Sequence, residues 1–237
     1  MSQKTVQQSR VATRPALVSR PAKTMLALLL VGAAALAGVQ SARAQAPAPA
    51  AATAATAAMA PDVLIRTVSA DVLATIKANP AIKSGDLKQI MALVDSKVMP
   101  NVDFQRMTAS AVGRFWRQIT PQQQTRLQDE FKVLLVRTYS GALAQVGDQT
   151  VQLKPMRSAP EDKEVIVRSE VRGNGDPVQL DYRMEKSPTG WKIYDVNVMG
   201  VWLVETYRSS FAEEIGTNGI DGLITKLAER NKTAASR

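Results

Sequence analysis

The chain has 237 residues, of which 30 are basic and 21 acidic, and it contains no histidine and no cysteine. It can therefore form neither a Ser-His-Asp triad nor a Cys-His pair, and no zinc site built on imidazole or thiolate ligands. The sequence also lacks a glycine-rich phosphate loop and a dinucleotide-binding fingerprint. Paired carboxylates are the route to acid–base catalysis that remains.

The first 44 residues have the pattern of a secretory signal peptide. Five basic residues and no acidic ones precede Met25, and an apolar run extends from there to Leu36. Small residues at Ala42 and Ala44 then occupy the two positions that a signal peptidase reads. The apolar run is too short for a permanent membrane span, and no cysteine follows it to carry a lipid anchor. We therefore predict that residues 1–44 are removed on export.

Removal of this leader changes the charge balance. Six basic residues and no acidic ones lie within 1–44, so residues 45–237 carry 24 basic and 21 acidic side chains, a net charge of +3. A strong basic excess would favour nucleic-acid binding. Because the net charge of residues 45–237 is small, we predict no nucleic-acid partner. This charge remains compatible with brief contact with anionic membrane surfaces or acidic partners.

The exported chain divides into a linker, one folded domain and a tail. Residues 45–60 are almost entirely alanine, proline and threonine, which is typical of a flexible linker. The domain is predicted over 61–230, with a polar tail over 231–237. A chain of this size buries roughly 70% of its unfolded surface, enough for one large domain or two closely packed subdomains.

Helical periodicity dominates the first half of the domain. It predicts a helix that ends before Pro80, a second from Asp86 to Pro100, and a short third helix capped by Asp103. A long fourth helix is predicted from Thr120 to Gly147. Its start carries an N-cap threonine, a proline at the first position and a glutamine at the third.

After Gly147 the hydrophobic period changes from about 3.6 to 2. Alternation predicts about four strands joined by short turns, and hence an antiparallel meander. Helices resume at Val201, and another follows Asn218 and Gly219. The predicted fold class is α+β, with helices laid over one face of a curved antiparallel sheet. The predicted strands lie at Val151 to Leu153, Glu164 to Arg172, Val178 to Glu185 and Trp191 to Met199.

Two strand carboxylates are the candidates for acid–base chemistry. Asp181 alternates with apolar neighbours, which favours a solvent-facing position. Asp195 is better interpreted as a hydrogen-bonded structural residue than as a catalytic one. We predict no catalytic residue and no enzyme activity. A cavity enzyme that uses two carboxylates, and a chaperone-like adaptor with an open groove, remain the alternatives.

Several landmarks occur in an order that resembles the MlaC family of periplasmic phospholipid-binding proteins, also called the toluene-tolerance family. The resemblance covers nearly all of 61–230, although the family often has serine where this chain has Trp202. The landmarks include Val98-Met99-Pro100, Asp103-Phe104, Trp116-Arg117, Thr120-Pro121-Gln122, Gly190-Trp191-Lys192-Ile193-Tyr194-Asp195-Val196, Tyr207-Arg208 and Gly219-Ile220-Asp221-Gly222.

The resemblance implies a strongly twisted antiparallel sheet, partly like that of nuclear-transport-factor-2 domains, wrapped by helices around an apolar cavity. It also implies a monomeric periplasmic carrier without cofactor or metal. Such carriers move phospholipid between an outer-membrane lipoprotein complex and an inner-membrane ABC transporter with an MCE-domain ring. This transport maintains the lipid asymmetry of the outer membrane.

The acyl tails are expected to lie between the long helix and the concave face of the sheet. Tyr139 is the first candidate, because the resemblance and the helix face both place it inward. For Leu135, Trp116 and Trp202, simple core packing is an equally good interpretation. The full set of candidate tail-binding residues is Tyr139, Val178, Leu180, Val201 (at the strand-to-helix corner), Leu135, Trp116 and Trp202.

Overall fold

A computed structural model describes residues 59–159 and 161–233 of the chain. The predicted signal peptide lies outside the described residues, as does the predicted linker apart from Met59 and Ala60. Among the described residues, no helix has the length and apolar character that a membrane crossing requires. The residues described belong to a single α+β unit, which agrees with the predicted fold class.

The described part of the chain contains six α-helices, a π-helix and two 3-10 helices. The segment predicted as one helix from Asp86 to Pro100 is divided, because the backbone leaves α-helical geometry at Val94. A short helix that the sequence did not indicate is capped by Asn79. The helices are α1 (Pro61–Ala78), α2 (Pro80–Lys83), α3 (Leu87–Leu93), the π-helix (Val94–Val98), 3-10 helices at Met99–Asn101 and Gly113–Gln118, α4 (Phe104–Val112), α5 (Pro121–Ala144) and α6 (Leu203–Thr233).

The last helix differs from the prediction at its end and contains the predicted break. Gly219, with φ of 70° and ψ of −175°, interrupts the helical geometry where two helices were predicted. The helix then continues to Thr233, so the start of the predicted polar tail is helical. Asn231 is buried there, and its side-chain amide donates to the backbone oxygen of Glu130 at 2.9 Å.

The predicted capping residue begins the long helix α5. The Thr120 hydroxyl accepts from the backbone N–H of Gln123 at 3.2 Å, and the Gln123 side chain accepts from the backbone N–H of Thr120 at 3.0 Å. Pro121 occupies the first helical position. These contacts form a capping box, which satisfies two backbone donors that a bare helix end would leave unpaired.

Thr120→Ala is expected to lower the free energy of unfolding by about 1 kcal/mol, the usual cost of losing an N-cap side chain. Thr125→Ala is the matched control, because this exposed hydroxyl donates to the backbone oxygen of Pro121 within the same helix and alanine is the better helix former. Urea denaturation of both variants checks the prediction. Equal losses of stability in the two variants would contradict a capping role for Thr120.

The sheet is an open antiparallel meander of five strands in sequence order. The four predicted strands are present, and a fifth two-residue strand follows them where helix was predicted from Val201. Met199 and Gly200 have φ values of 51° and 91°, and positive φ at both central residues is typical of a two-residue hairpin turn. The strands are β1 (Thr150–Leu153), β2 (Glu164–Arg172), β3 (Val178–Ser187), β4 (Gly190–Val198) and β5 (Val201–Trp202).

Three buried clusters hold the domain together. Helix α1 packs Leu64 and Ile65 on the inner face of the sheet, against Val165, Val167 and Met184. A second cluster joins α4, α5 and α6 around the fully buried Phe131. A third connects the end of α1 with α2, α3 and α5. We call the face of the sheet that α1 covers the inner face and the opposite one the outer face.

Candidate functional site

An apolar pocket of about 220 Å³ lies where the three clusters meet. Helix α5 contributes Leu135 and Val136 to its wall, the π-helix contributes Val94 and Val98, and β4 contributes Val196. Residues of α3 and α4, the segment from Met99 to Val102 and the first residue of α6 complete the lining. The pocket can therefore take up an apolar group and offers little to bind a polar one.

Among the described residues that line the pocket, only Lys132 carries a charge. Its ammonium group lies 2.9 Å from Asp95 Oδ1 on the π-helix, and the Lys132 side chain is 23% exposed. Since half of the Asp95 side chain is in solvent, such an ion pair contributes at most about 1 kcal/mol. It joins α5 to the π-helix through a contact that is easily broken.

Two of the sequence-predicted residues, Tyr139 and Leu135, line the pocket. Burial raises the pKa of the Tyr139 hydroxyl, and the nearby Tyr207 raises it further. A tyrosine hydroxyl is already uncharged at neutral pH, and this shift favours the neutral form further. The Tyr139 side chain is 36% exposed, so it lies at the open edge of the pocket. Trp116 instead packs against the cluster of α4, α5 and α6 and is not part of the lining.

Three other predicted residues, Val178, Leu180 and Val201, lie on the sheet beside the pocket. Leu180 is directly opposite Val198 on β4, and Val198 is opposite Val201 on β5. Opposed residues of an antiparallel pair share a face, and Val198 shares its face with Val196, two residues earlier, which lines the pocket. The inner face therefore continues from the pocket wall at Val196 across β4 to the adjacent strands β3 and β5.

This continuation is an apolar surface that the helices cover only in part. It consists of Val171, Val178, Leu180, Val198 and Val201. Val201 is 54% exposed, and the other four side chains are half-buried. Within the described part of the chain, none of them belongs to the three buried clusters. We call this surface of five residues the shelf.

Trp202 lies on the outer face, which differs from the position expected for a tail-binding residue. It is opposite Asn197 in the β4–β5 pairing, and its ring stacks on the guanidinium group of Arg183 at 3.8 Å. The cause is the hairpin, because alternation along β5 sends Val201 to the inner face and Trp202 to the other. Trp202 therefore does not narrow the pocket.

The two strand aspartates also lie on the outer face. Asp195 is 1% exposed and accepts the N–H of Val196 at 2.9 Å, so it is hydrogen-bonded as predicted. Burial raises its pKa, and hydrogen bonds from the backbone and Arg183 counteract that rise. Asp181 was predicted to face solvent and is 7% exposed. It is opposite Arg168 and Asn197 on the flanking strands, and its Oδ2 accepts from the Gln179 side chain at 2.9 Å.

The remaining pocket residues were not among the candidates predicted from the sequence. Val94 and Val98 keep the four-residue spacing of the helix predicted from Asp86 to Pro100, whereas Met99 and Val102 lie in the 3-10 helix and the segment that follows, where the apolar spacing is irregular. The described residues contain no group of three or more acidic side chains placed to hold a metal ion.

Comparison with known proteins identifies the family. The model of the family described as MlaC protein matches residues 66–229. The toluene tolerance protein ttg2D of Pseudomonas putida is 26% identical over 186 residues, which cover 75% of this chain and 86% of that protein. The intermembrane phospholipid transport system binding protein MlaC of Haemophilus influenzae is 23% identical over 173 residues, covering 71% and 81%.

A solved structure supports the fold. The phospholipid-binding protein from Ralstonia solanacearum, whose structure is a complex with a phospholipid, is 52% identical to this chain. The match has a TM-score of 0.71 and covers 73% of this chain and 98% of that one. The family match over 66–229, together with this structural similarity, shows that the chain belongs to the MlaC family.

Proposed function

We propose that this protein is a periplasmic carrier that holds the acyl tails of a phospholipid in the apolar pocket and along the shelf. The main support for this proposal is that a pocket lined almost wholly by apolar groups adjoins the shelf, an apolar sheet surface that is partly exposed. The relative from Ralstonia solanacearum, which is 52% identical, binds a phospholipid. The pocket and shelf have the chemistry that the tails of such a lipid need.

The energetics of acyl chains explain why a carrier is needed. Exposing a methylene group to water costs about 0.8 kcal/mol, so two tails with ~30 methylenes cost on the order of 25 kcal/mol. This exceeds the net affinity of any non-covalent complex, so a free phospholipid does not cross an aqueous compartment. A carrier must offer a site whose free energy is close to that of the bilayer, or it could not both load and unload.

The dimensions of the pocket indicate how the shelf takes part. Its volume of about 220 Å³ is below the ~300–1,000 Å³ of ordinary small-molecule sites, and a two-tailed lipid needs more. The shelf supplies an adjacent apolar surface, and the weak Lys132–Asp95 ion pair allows α5 and the π-helix to separate. We infer that the tails occupy the pocket first and extend over the shelf, so that Tyr139, Leu180, Val178 and Val201 contact lipid.

We further propose that the carrier acts as a monomer between an outer-membrane lipoprotein complex and an inner-membrane MCE-domain ABC transporter, and so maintains outer-membrane lipid asymmetry. The predicted signal peptide supports export. The name of the Haemophilus influenzae relative, an intermembrane phospholipid transport system binding protein, supports a role in transport between membranes. Carriage without chemical change requires no catalytic group, which agrees with the structural role of Asp195.

Native mass spectrometry of the exported protein, purified without detergent, tests the proposal. The expected result is an added mass that matches near-stoichiometric phospholipid, identified by solvent extraction and lipid analysis. A clean unliganded mass, together with no uptake of phospholipid from liposomes, would overturn the carrier function. Copurifying peptide in place of lipid would instead favour a chaperone-like adaptor.

A further inference from the structure

The outer face of the sheet carries a closed ring of contacts around Asp195. Oδ2 of Asp195 accepts from the Arg183 guanidinium at 3.0 Å, and that guanidinium lies 3.8 Å from the centre of the Trp202 ring. Oδ1 accepts from the backbone N–H of Val204 at 3.1 Å. Since Val204 follows Trp202 by two residues, the ring closes through the chain itself.

This ring is connected directly to the pocket, although none of its side chains enters it. Oδ1 of Asp195 also accepts the N–H of Val196 at 2.9 Å, and Val196 lines the pocket from β4. Leu203, which lies between Trp202 and Val204, lines the pocket from the first turn of α6. One buried carboxylate oxygen therefore holds both sides of the pocket corner where the sheet meets α6.

The Arg183–Trp202 stack makes this arrangement rigid. An arginine over a tryptophan ring within about 6 Å is held by the ring quadrupole and by planar packing. The stack holds the Trp202 side chain of β5 on the outer face. The Asn197 side chain accepts the N–H of Gly200 at 2.8 Å and so holds the turn that precedes β5. With Trp202 held on one face, Val201 must remain on the other, at the edge of the shelf.

We infer that Asp195, Arg183 and Trp202 are positioning residues, which hold the corner between β4 and α6 and thereby set the rate at which acyl tails leave the pocket. This inference rests on the proposed carrier function. A loosened corner lets Leu203 and Val201 move away from Val196, which opens a path for the tails without removing any apolar group that contacts them.

Trp202→Ala tests this role, with transfer of a fluorescent phospholipid from the loaded protein to acceptor liposomes as the readout. The transfer rate is expected to rise by about two- to fivefold, the factor that loss of one arginine–aromatic stack provides. Trp202→Phe keeps a ring over Arg183 and is expected to restore most of the wild-type rate. Asp195→Asn keeps the acceptor for both N–H groups and loses the ion pair. Its transfer rate should therefore lie between those of Trp202→Phe and Trp202→Ala.

The outer face offers a matched control in a second stack, formed by the Arg106 guanidinium 3.7 Å from the Tyr194 ring. Tyr194→Ala removes this stack, together with the hydrogen bond that the Tyr194 hydroxyl donates to Glu164, and leaves the turn at Met199 and Gly200 and strand β5 unchanged. It is expected to lower the melting temperature about as much as Trp202→Ala and to leave the transfer rate at the wild-type value.

Equal transfer rates in Trp202→Ala and Tyr194→Ala would overturn the positioning role, as would a Trp202→Phe protein as fast as Trp202→Ala. Both results presuppose a wild-type protein that transfers lipid. A wild-type protein that neither holds nor transfers phospholipid would instead refute the carrier function itself. The two failures are therefore distinguishable in one set of measurements.

Discussion

Replacing Leu180 with glutamate is expected to reduce the phospholipid that copurifies with the protein by at least about tenfold, which corresponds to ~1.4 kcal/mol of binding free energy. Leu180 lies in the middle of the shelf, between Ser169 on β2 and Val198 on β4. A tail that covers this position would leave the new carboxylate desolvated and without a partner, and such burial is costly. Lipid analysis after detergent-free purification measures the loss.

A graded series separates a local effect from a general effect of charge. Val201→Glu is expected to lower lipid content less than Leu180→Glu does, because Val201 is at the edge of the sheet and 54% exposed, where a carboxylate can reach water. Ile166→Glu is the control, since Ile166 is an exposed β-branched residue on the outer face of the same sheet. It should retain wild-type lipid content.

Circular dichroism must show that each glutamate variant is folded, which half-buried and exposed positions should permit. Normal lipid content in folded Leu180→Glu and Val201→Glu proteins would show that the tails do not lie on the shelf. Equal losses in all three variants would show that added charge, and not its position, causes the effect. Either result would remove the shelf from the proposed binding site.

Phe131→Ala is expected to lower the free energy of unfolding by about 3–5 kcal/mol, the usual cost of deleting a buried phenyl ring. Phe131 has no solvent exposure, and its ring centroid lies 5.8, 5.0 and 5.2 Å from those of Phe104, Tyr207 and Phe211. Loss of the ring leaves a cavity and removes three favourable aromatic contacts. Urea denaturation of delipidated protein measures the change, because bound lipid would add its own stabilisation.

Phe115→Ala is the control for this substitution, since Phe115 is half-buried and packs at the margin of the same cluster. Its expected cost is below ~2 kcal/mol, because solvent already covers part of the ring and little cavity forms. Similar costs for the two variants would mean that the aromatic group around Phe131 is not the centre of the core. Phe104 also lines the pocket, so the Phe131 variant should bind lipid more weakly as well.

Most of the secondary structure follows from local sequence patterns. Local chemistry decides where a helix begins, as the Thr120 capping box and the Asp86 and Asp103 caps illustrate, and such chemistry involves residues only a few positions apart. Period-2 alternation located four strands for the same reason. Tyr139 and Leu135 were proposed from one face of a long amphipathic helix, and both line the pocket, although the Tyr139 side chain is 36% exposed.

Tertiary structure alone decided which way the hairpin residues face. The residue types of Val201 and Trp202 fit both the end of a strand and the start of a helix. The two-residue turn at Met199 and Gly200 makes them a strand, because it pairs them with β4. A shift of one residue in register exchanges the two faces of a strand. The registry with Val198 and Asn197 therefore sends Val201 to the shelf and Trp202 to Arg183.

The pocket and the burial of Asp181 depended on the same long-range information. The pocket walls come from segments as distant as Val94, Leu135, Val196 and Leu203, and only their packing creates the space between them. Asp181 was predicted to face solvent because an antiparallel sheet with one packed face usually exposes the other. Here Asp181 is enclosed between its partners on the two flanking strands, a consequence of pairing that no local pattern contains. The sequence thus determined the elements and their apolar faces, whereas the pairing of distant strands and helices determined the site.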